Sequence, residues 1–351
     1  MAKLSSVRLF ISMAATYDWA LHQLDVKNAF LNGTLNEEVY MEQPPGFVAQ
    51  GENGKVCLLR NSLYGLKQSP RAWFNRFCSV VQKFGLIQSK CDHSVFYQNS
   101  DAGLILLVVY IRKKVDPKKL EPFEYPDRYR RLIGKLNYLT ITRPDVTFSV
   151  SFLSQFMGDP TVGQWEALEH VLRYLKQSPG RGILYKNYGH TDIECFCDAD
   201  HAGCKKTRRS TTGYCVFVGG NLVSWRSKKQ GVASHSSAEA EYRAMSQSVR
   251  EIVWIYQLLK EVGLKTSLPA KLWCDNQAAL HIASNSVFHE RTKHIEVDCH
   301  FVRDKLKENF ISTGHVRSSD QLGDLLTKAL DGNRVSYLCN KLGMIDIYAP
   351  T

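Results

Sequence analysis

The sequence lacks several features that would place the protein in a special class. Its longest apolar run, Leu104 to Ile111, falls far short of the roughly 18 residues that a membrane-spanning helix needs. The ten cysteines form no C-x-x-C pair, and the N-terminal region has neither the apolar segment nor the cleavage site of a secretory signal. Internal repeats and low-complexity tracts are also absent. We therefore expect an intracellular protein, cytoplasmic or nuclear, that is neither secreted nor membrane-bound.

The charge is unevenly distributed along the chain. The 351 residues include 45 Lys+Arg and 34 Asp+Glu, which gives a formal net charge of +11. Residues 112–190 hold 14 basic and 8 acidic residues, whereas residues 1–111 have a net charge of +2 and residues 191–351 of +3. A basic central segment favours a polyanionic partner such as nucleic acid, although a solvated interdomain surface explains the charge equally well.

The first half of the chain contains few clear periodic segments. Turn signals at Asn32-Gly33 and residues 44–46 predict a region of strands and loops between residues 28 and 65. Residues 104–111 predict a fully buried strand. The charged, proline-containing stretch 112–131 is typical of a linker, and helical spacing from Trp165 to Leu175 predicts a helix that ends at Ser178.

The second half predicts a mixed α/β domain. Alternation over residues 193–198 predicts a strand, and two more strands follow around a tight turn at residues 219–221. Ser236 with Glu239 forms a capping box that opens a long helix ending at Gly263. The remaining predicted elements are a strand at 272–275, helices at 276–284 and 290–306, a strand at 310–316, and a closing helix from Ser319 to Leu330.

Four acidic residues of this domain fall where their side chains can converge: Asp198, Glu241, Asp275 and Asp324. Any one of them alone is more often a turn or cap residue. Four carboxylates together would repel each other unless two divalent cations neutralised them, and such ions can drive phosphodiester hydrolysis. Oxygen ligands without clustered His or Cys suit Mg²⁺, or Mn²⁺.

The motifs around these acids resemble the Pol polyproteins of copia-type LTR retrotransposons. The ribonuclease H-like part carries the motifs 197–204, 208–214, 236–242, 274–276, 291–295, 298–301 and 321–324 in order. Residues 129–139 and 142–145 are similar to the family's connection region, and residues 23–30, 40–46 and 63–73 to its reverse transcriptase. Gly323 departs from the alanine that is usual in the family, and a glycine inside a helix costs about 1 kcal/mol.

The resemblance implies a function and a set of site residues. Asp198, Glu241, Asp275 and Asp324 would bind two Mg²⁺ or Mn²⁺ ions and cleave the RNA strand of an RNA–DNA hybrid. We choose Glu241 over Glu239 because Glu239 fills the capping position, and Asp198 over Asp200 because Asp198 matches the strand end. Other Pol or capsid components, in a virus-like particle, are the further partners that the family implies. The residues expected to hold the substrate are Lys205, Lys206, Arg208, Arg209, Arg226, Lys228, Lys229 and His294.

The polymerase part of the resemblance is incomplete. Asp25 matches the first metal-binding aspartate of the family's polymerase, but the expected pair of aspartates after the apolar strand is missing. Arg112-Lys113-Lys114 follows that strand instead, and Asp116 lies too far along the chain to substitute. Most of the fingers and thumb also have no counterpart. We therefore expect a non-functional reverse transcriptase remnant, because nucleotide transfer needs metals held by more than one carboxylate.

These observations predict the following organisation and fold class. The segments are a truncated reverse transcriptase (1–111), a linker at a deletion junction (112–128), a connection region (129–190), a ribonuclease H-like domain (191–332) and a C-terminal tail (333–351). The fold class is α/β, with an incomplete palm remnant followed by a mixed sheet with flanking helices.

Three alternatives stay open at this point. His201 with Cys195, Cys197 and Cys204 offers zinc-type donors, but the strand alternation around Cys195 and Cys197 argues against a site. The pair His294 and Asp298, and the lone His315, could touch substrate or lie on a solvated surface. A decayed element product that binds nucleic acid weakly or has no activity is the alternative function.

Overall fold

The computed structural model describes residues 3–43, 55–101, 103–109, 125–204, 207–285 and 295–348. The chain divides into two compact units. The smaller unit comprises residues 21–107, and the larger unit combines residues 1–20 with residues 108–351. Among the described residues, no helix has both the length and the apolar character needed to cross a membrane.

The smaller unit contains two small sheets and one long helix. Its elements are β1 (Tyr40–Glu42), β2 (Val56–Leu58), α2 (Ser69–Lys83), β3 (Ile87–Gln88), β4 (Val95–Ser100) and β5 (Gly103–Val108). β1 pairs with β2, and β3, β4 and β5 form a three-stranded sheet in that order. β5 confirms residues 104–108 of the strand predicted at residues 104–111, while residues 110 and 111 lie outside the described residues. The prediction of full burial is wrong, since Ile105 is 54% exposed.

A five-stranded mixed sheet forms the centre of the larger unit. Its strands are β7 (Ile193–Asp200), β8 (Thr211–Val218), β9 (Asn221–Lys229), β10 (Ala270–Cys274) and β11 (Ile311–His315), in the spatial order β11-β10-β7-β8-β9. β7, β8 and β9 are antiparallel neighbours, whereas β10 runs parallel to both β7 and β11. Gly219 and Gly220 join β8 to β9, and both have the positive φ that a tight two-residue hairpin turn requires. This arrangement confirms the predicted α/β class with a mixed sheet.

Helices and short helical turns pack around this sheet. α6 (Ser237–Glu261), α7 (Gln277–Ser284) and α8 (Glu296–Lys307) form a connected helical group, and α6 packs against β7 and β8. A leucine-rich 3₁₀ segment, Leu322–Leu326, packs with α9 (Gly332–Lys341) against Cys215, Phe217 and Leu222 of the sheet. Part of the expected C-terminal tail therefore contributes to this core, and β12 (Met344–Asp346) pairs with β6 (Arg181–Ile183).

The predicted closing helix from Ser319 to Leu330 is wrong. The structure has two short 3₁₀ segments instead, Ser318–Asp320 and Leu322–Leu326. Gln321 separates them, because its side-chain amide donates to the carbonyl of Cys197 and its Oε1 accepts from the amide of Gly323. This anchoring fixes the segment to the end of β7 rather than allowing a continuous helix.

Three helices of the larger unit form a second apolar core. They are α3 (Pro126–Leu139), α4 (Thr147–Leu153) and α5 (Val162–Gln177), which meet at Tyr129, Ile133, Val150 and Leu168. A buried ion pair lies between α3 and α4, where the Arg143 guanidinium contacts both carboxylate oxygens of Asp145. The predicted end of α5 at Ser178 is confirmed, and the Ser178 carbonyl accepts a hydrogen bond from Arg143.

The N-terminal helix α1 (Leu4–Tyr17) also belongs to the larger unit, where it packs on β9. Leu9 and Met13 are fully buried, and the Ser12 hydroxyl donates to the carbonyl of Val218 at 2.9 Å. The Arg8 guanidinium lies 3.4 Å from the ring centroid of Trp225 and donates to the carbonyl of Ile141. A segment expected to be polymerase-derived is thus part of the fold that contains the four acids, while the predicted segment limits stay a prediction.

Candidate active site

The four predicted acids come from four different elements. Asp198 lies near the end of β7, and Asp275 directly follows β10. Because β7 and β10 are parallel neighbours, their carboxyl ends reach the same edge of the sheet. Glu241 lies in the second turn of α6, and Asp324 in the 3₁₀ segment Leu322–Leu326. The topology therefore directs all four side chains toward one region.

The carboxylates converge in two overlapping groups. Oxygens of Asp198, Asp275 and Asp324 all lie within 4.8 Å of one another. Ligand atoms of Glu241, Cys274 and Asp275 satisfy the same limit, and Asp275 is shared by both groups. Asp198, Glu241 and Asp324 are only 2%, 5% and 6% exposed, while Asp275 is half-buried. We refer to these four acids as the carboxylate cluster.

Burial and the neighbouring acids make two members of the cluster, Asp198 and Glu241, hard to ionise. The pKa of Asp198 is raised to about 6, chiefly by burial and also by the neighbouring Asp324 and Asp275, against the opposing effects of Lys328 and Thr327. The pKa of Glu241 is raised to about 10, chiefly by burial and also by Asp198, Cys274 and Asp275. Such densely placed, desolvated acids are a typical arrangement of functional sites.

Basic and hydroxyl side chains that the sequence interpretation missed surround the cluster. Lys328 Nζ lies 2.8 Å from Asp324 Oδ1 and 3.8 Å from Asp198 Oδ2. Arg334 Nη2 lies 3.5 Å from Asp324 Oδ2. The Thr327 hydroxyl donates to Asp198, and the Ser318 hydroxyl donates to Asp275 Oδ2 at 2.9 Å. The sequence contained one clue to the pairing of Lys328 with Asp324, because the two residues are four positions apart.

The choice of Glu241 over Glu239 agrees with the contacts of each residue. The Ser236 hydroxyl accepts a hydrogen bond from the amide of Glu239, and Glu239 Oε2 accepts one from the amide of His235. Glu239 also pairs with Arg243 at 2.9 Å. Glu239 is therefore engaged at the start of α6, while Glu241 lies with Cys274 and Asp275.

Gly323 allows the 3₁₀ segment to approach β7 closely. A Cβ atom at position 323 would lie 2.7 Å from the Cβ of Asp198 and 3.0 Å from its amide nitrogen. Both contacts are too short for the present backbone positions. The expectation that Gly323 is a costly helical residue is therefore wrong, because the residue lies outside any α-helix and its missing side chain brings Asp324 next to Asp198.

The predicted substrate-binding residues have mixed outcomes. Arg208, Arg209, Arg226 and Lys228 are exposed, and the last two lie on β9. Lys229 is half-buried, with its ammonium 2.6 Å from Cys204 Sγ and 3.2 Å from Gln155 Oε1. The predicted Lys205, Lys206 and His294 lie outside the described residues. The exposed residues remain predicted phosphate contacts.

The other weighed candidates have no metal-binding arrangement in the described part of the chain. His201, Cys195, Cys197 and Cys204 belong to no such group there. The His201 ring instead contacts the Ser234 carbonyl at 3.2 Å. Asp298 accepts a hydrogen bond from Ser246 at 2.7 Å and pairs with Arg250, which ties α8 to α6. His315 is an exposed residue at the end of β11.

Asp25, predicted to belong to a polymerase remnant, is exposed and lies in the chain between α1 and the 3₁₀ turn Ala29–Asn32. No group of potential metal ligands among the described residues includes it. Asp116 and the basic residues 112–114 lie outside the described ranges.

The raised acid pKa values predict how stability depends on pH without metal. A carboxyl group whose pKa is higher in the folded state stabilises the fold at low pH, and that contribution is lost as the pH rises through the folded-state pKa. For Glu241 the window runs from about 4.5, the ordinary pKa of a glutamate, to about 10. We expect the free energy of unfolding in EDTA, from urea titrations, to fall by a few kcal/mol between pH 6 and pH 9.

The matched control for this experiment is Glu241→Gln, which cannot titrate. Its stability should depend less steeply on pH over the same range, because the remaining groups titrate in both proteins. An identical slope in the two proteins would contradict the assignment of this pH dependence to Glu241.

The chain is similar in sequence to several known proteins. A family described as reverse transcriptase (RNA-dependent DNA polymerase) matches residues 1–115. The retrovirus-related Pol polyprotein from transposon RE2 of Arabidopsis thaliana is 34% identical over 98% of this chain and 29% of its own length. That from transposon TNT 1-94 of Nicotiana tabacum is 30% identical over 97% of this chain and 32% of its own length. The chain thus spans less than a third of these relatives.

A solved structure of LC11-RNase H1, in complex with an RNA/DNA hybrid, is similar to part of the chain. It has 12% sequence identity and a TM-score of 0.31, and the match covers 39% of this chain and 94% of that protein.

The alignment with the RE2 polyprotein extends over 421 positions, more than the 351 residues of this chain. It therefore includes residues of the relative that have no counterpart here.

Proposed function

The chain belongs to the copia-type retrotransposon Pol polyproteins, and on this premise we propose that its larger unit cleaves the RNA strand of RNA–DNA hybrids. The observation that carries the proposal is the convergence of Asp198, Asp275 and Asp324 within 4.8 Å, with Glu241 joined to them through Asp275. Because the acids come from separate elements of one sheet domain, their convergence is a property of the fold.

The donors in the carboxylate cluster fit hard divalent cations. Asp198, Asp275 and Asp324 supply oxygen ligands at mutual distances that one ion can span. Glu241 with Asp275 supplies further oxygens, beside the Cys274 thiol. Bound Mg²⁺ or Mn²⁺ would activate a water and stabilise the leaving oxygen, giving a 5′-phosphate and a 3′-hydroxyl. The high pKa values of Asp198 and Glu241 support this role, because cations would offset the repulsion that burial intensifies.

The chain's own residues would hold the ligands and the substrate in place. Thr327 and Ser318 each donate a hydrogen bond to one carboxylate, which fixes the orientation of Asp198 and Asp275. The exposed Arg226 and Lys228 of β9, with Arg208 and Arg209 of the loop between β7 and β8, would contact backbone phosphates. Contacts of this kind recognise the shape of a duplex rather than its sequence.

We further propose that the chain has no polymerase activity. Asp25 is exposed, and it belongs to no metal-binding group among the described residues. The sequence after β5 carries arginine and lysines in place of a second pair of acids. Two-metal nucleotide transfer needs several carboxylates around the ions, which supports the proposal.

The test is cleavage of a labelled RNA–DNA hybrid by the full chain. We expect Mg²⁺-dependent cleavage of the RNA strand that stops on addition of EDTA, with no cleavage of the matching DNA duplex. Primer extension on the same template should give no product. Absence of hybrid cleavage with both Mg²⁺ and Mn²⁺ would favour the alternative, a decayed element product without catalysis.

A further inference from the structure

Lys328 spans two of the acids that form the carboxylate cluster. We propose that its ammonium is a built-in counter-cation that holds Asp198 and Asp324 together without metal and competes with an incoming divalent cation for the same oxygens. Lys328 Nζ lies 2.8 Å from Asp324 Oδ1 and 3.8 Å from Asp198 Oδ2. The proposal rests on the metal site of the proposed function and assigns that site a residue that regulates its occupancy.

The need for such a cation follows from the crowding of the acids. Asp198, Asp275 and Asp324 are close enough for one ion to bind all three, and two of them are almost fully buried. Like charges at this spacing repel each other strongly where water is largely excluded. A nearby positive group reduces that repulsion. The Lys328 ammonium is such a group, because it lies close to both Asp198 and Asp324.

Arg334 cannot perform the same function. Its guanidinium reaches only Asp324 within the cluster, at 3.5 Å. The same guanidinium donates to the backbone carbonyls of Ser318 and Ser319, so it is anchored next to the cluster. Among the described residues, Lys328 alone pairs with both Asp198 and Asp324.

The ammonium is also able to leave. The Lys328 side chain is 41% exposed, whereas that of Asp198 is 2% exposed. A lysine has a flexible four-carbon stem, so its ammonium can turn into solvent while the acids remain fixed in the fold. A divalent cation that approaches the same oxygens would be repelled by the ammonium until it moves away. While the Lys328 ammonium lies beside Asp198 and Asp324, it should weaken metal binding. It should also keep these two acids in the positions that a metal ion requires.

The experiment compares Lys328→Met with Lys328→Arg in the full chain. Two quantities are measured without substrate: the unfolding temperature in EDTA, and the Mn²⁺ concentration at half of the metal-induced rise in that temperature. For Lys328→Met we expect a lower metal-free unfolding temperature and about a tenfold lower Mn²⁺ midpoint, as expected when a like charge near an ion is removed. Lys328→Arg should restore both toward the wild-type values.

Two further variants make the result specific. Lys305→Met removes another ion-paired lysine, 2.6 Å from Glu308 and apart from the cluster, and should leave the Mn²⁺ midpoint unchanged. Asp198→Asn should reduce the Mn²⁺ response, which assigns that response to the cluster.

The outcomes separate this proposal from the proposed function. An unchanged or higher Mn²⁺ midpoint in Lys328→Met would overturn the competition, and an unchanged metal-free unfolding temperature would overturn the holding role. A wild-type protein and Lys328→Met that both show no Mn²⁺ response would overturn the proposal together with the metal site. If Lys328→Met lowers the Mn²⁺ midpoint as expected but the wild-type protein cleaves no hybrid, the result would support this proposal and overturn the proposed function.

Discussion

Replacing Leu9 or Met13 by alanine should destabilise the larger unit by about 2–5 kcal/mol, the range observed when large buried side chains are truncated in a packed core. Both side chains are fully buried in α1, which packs on β9 at the edge of the sheet. The measurement is the free energy of unfolding from urea titrations followed by tryptophan fluorescence. Trp225 is a suitable reporter because the Arg8 guanidinium lies against its ring.

A matched leucine outside the helix provides the control. Leu21 is 64% exposed, and Leu21→Ala should change the free energy of unfolding by less than about 0.5 kcal/mol. If Leu9→Ala lowered the free energy of unfolding as little as Leu21→Ala, α1 would not belong to the folded unit. The side-chain contacts argue otherwise, since the Ser5 and Ser224 hydroxyls both donate to Glu251 of α6.

The position of α1 also determines which form of the protein is suitable for an activity assay. A fragment that starts at the connection region would omit α1 and expose the surface of β9 that Leu9 and Met13 cover. Newly exposed apolar surface promotes aggregation, so lost activity in such a fragment would be ambiguous. Cleavage assays on the full chain avoid this problem.

Local sequence patterns predicted the central hairpin and the long helix well. Alternation over residues 193–198 depends on one buried face, and β7 shows it with Ile193, Cys195 and Cys197 buried. Ser236 caps α6 through the amide of Glu239, as the capping box requires. These features arise from contacts between residues near each other in the chain, which is why sequence reasoning could find them.

Features that depend on distant contacts escaped prediction. The docking of α1 joins residues about 200 positions apart, such as Ser12 and Val218, and no local pattern encodes that pairing. The predicted closing helix is replaced by two 3₁₀ segments because Gln321 binds the carbonyl of Cys197, 124 residues away. The acids themselves were found through motif order, whereas the pairing of Lys328 with Asp198 required the fold.

Asp198→Asn should lower the rate of hybrid cleavage by at least about a thousandfold, which corresponds to roughly 4 kcal/mol of transition-state stabilisation. Asparagine has nearly the same shape as aspartate, so packing beside Gly323 is retained while the charged ligand is lost. The neighbouring Asp200 is the matched control. It lies at the end of the same strand and belongs to no metal-binding group among the described residues, so Asp200→Asn should retain cleavage within about tenfold.

Stability distinguishes a catalytic effect of Asp198→Asn from a folding defect. Burial and the neighbouring acids raise the pKa of Asp198, which means that its ionised form is disfavoured in the metal-free fold. Removing that charge should therefore leave the unfolding temperature in EDTA unchanged or higher while cleavage is lost. A variant that is inactive because it is unfolded would show the opposite, a lower unfolding temperature. Strong loss of cleavage in Asp200→Asn with activity retained in Asp198→Asn would move the ligand role to Asp200, and with it the position of the metal along the strand.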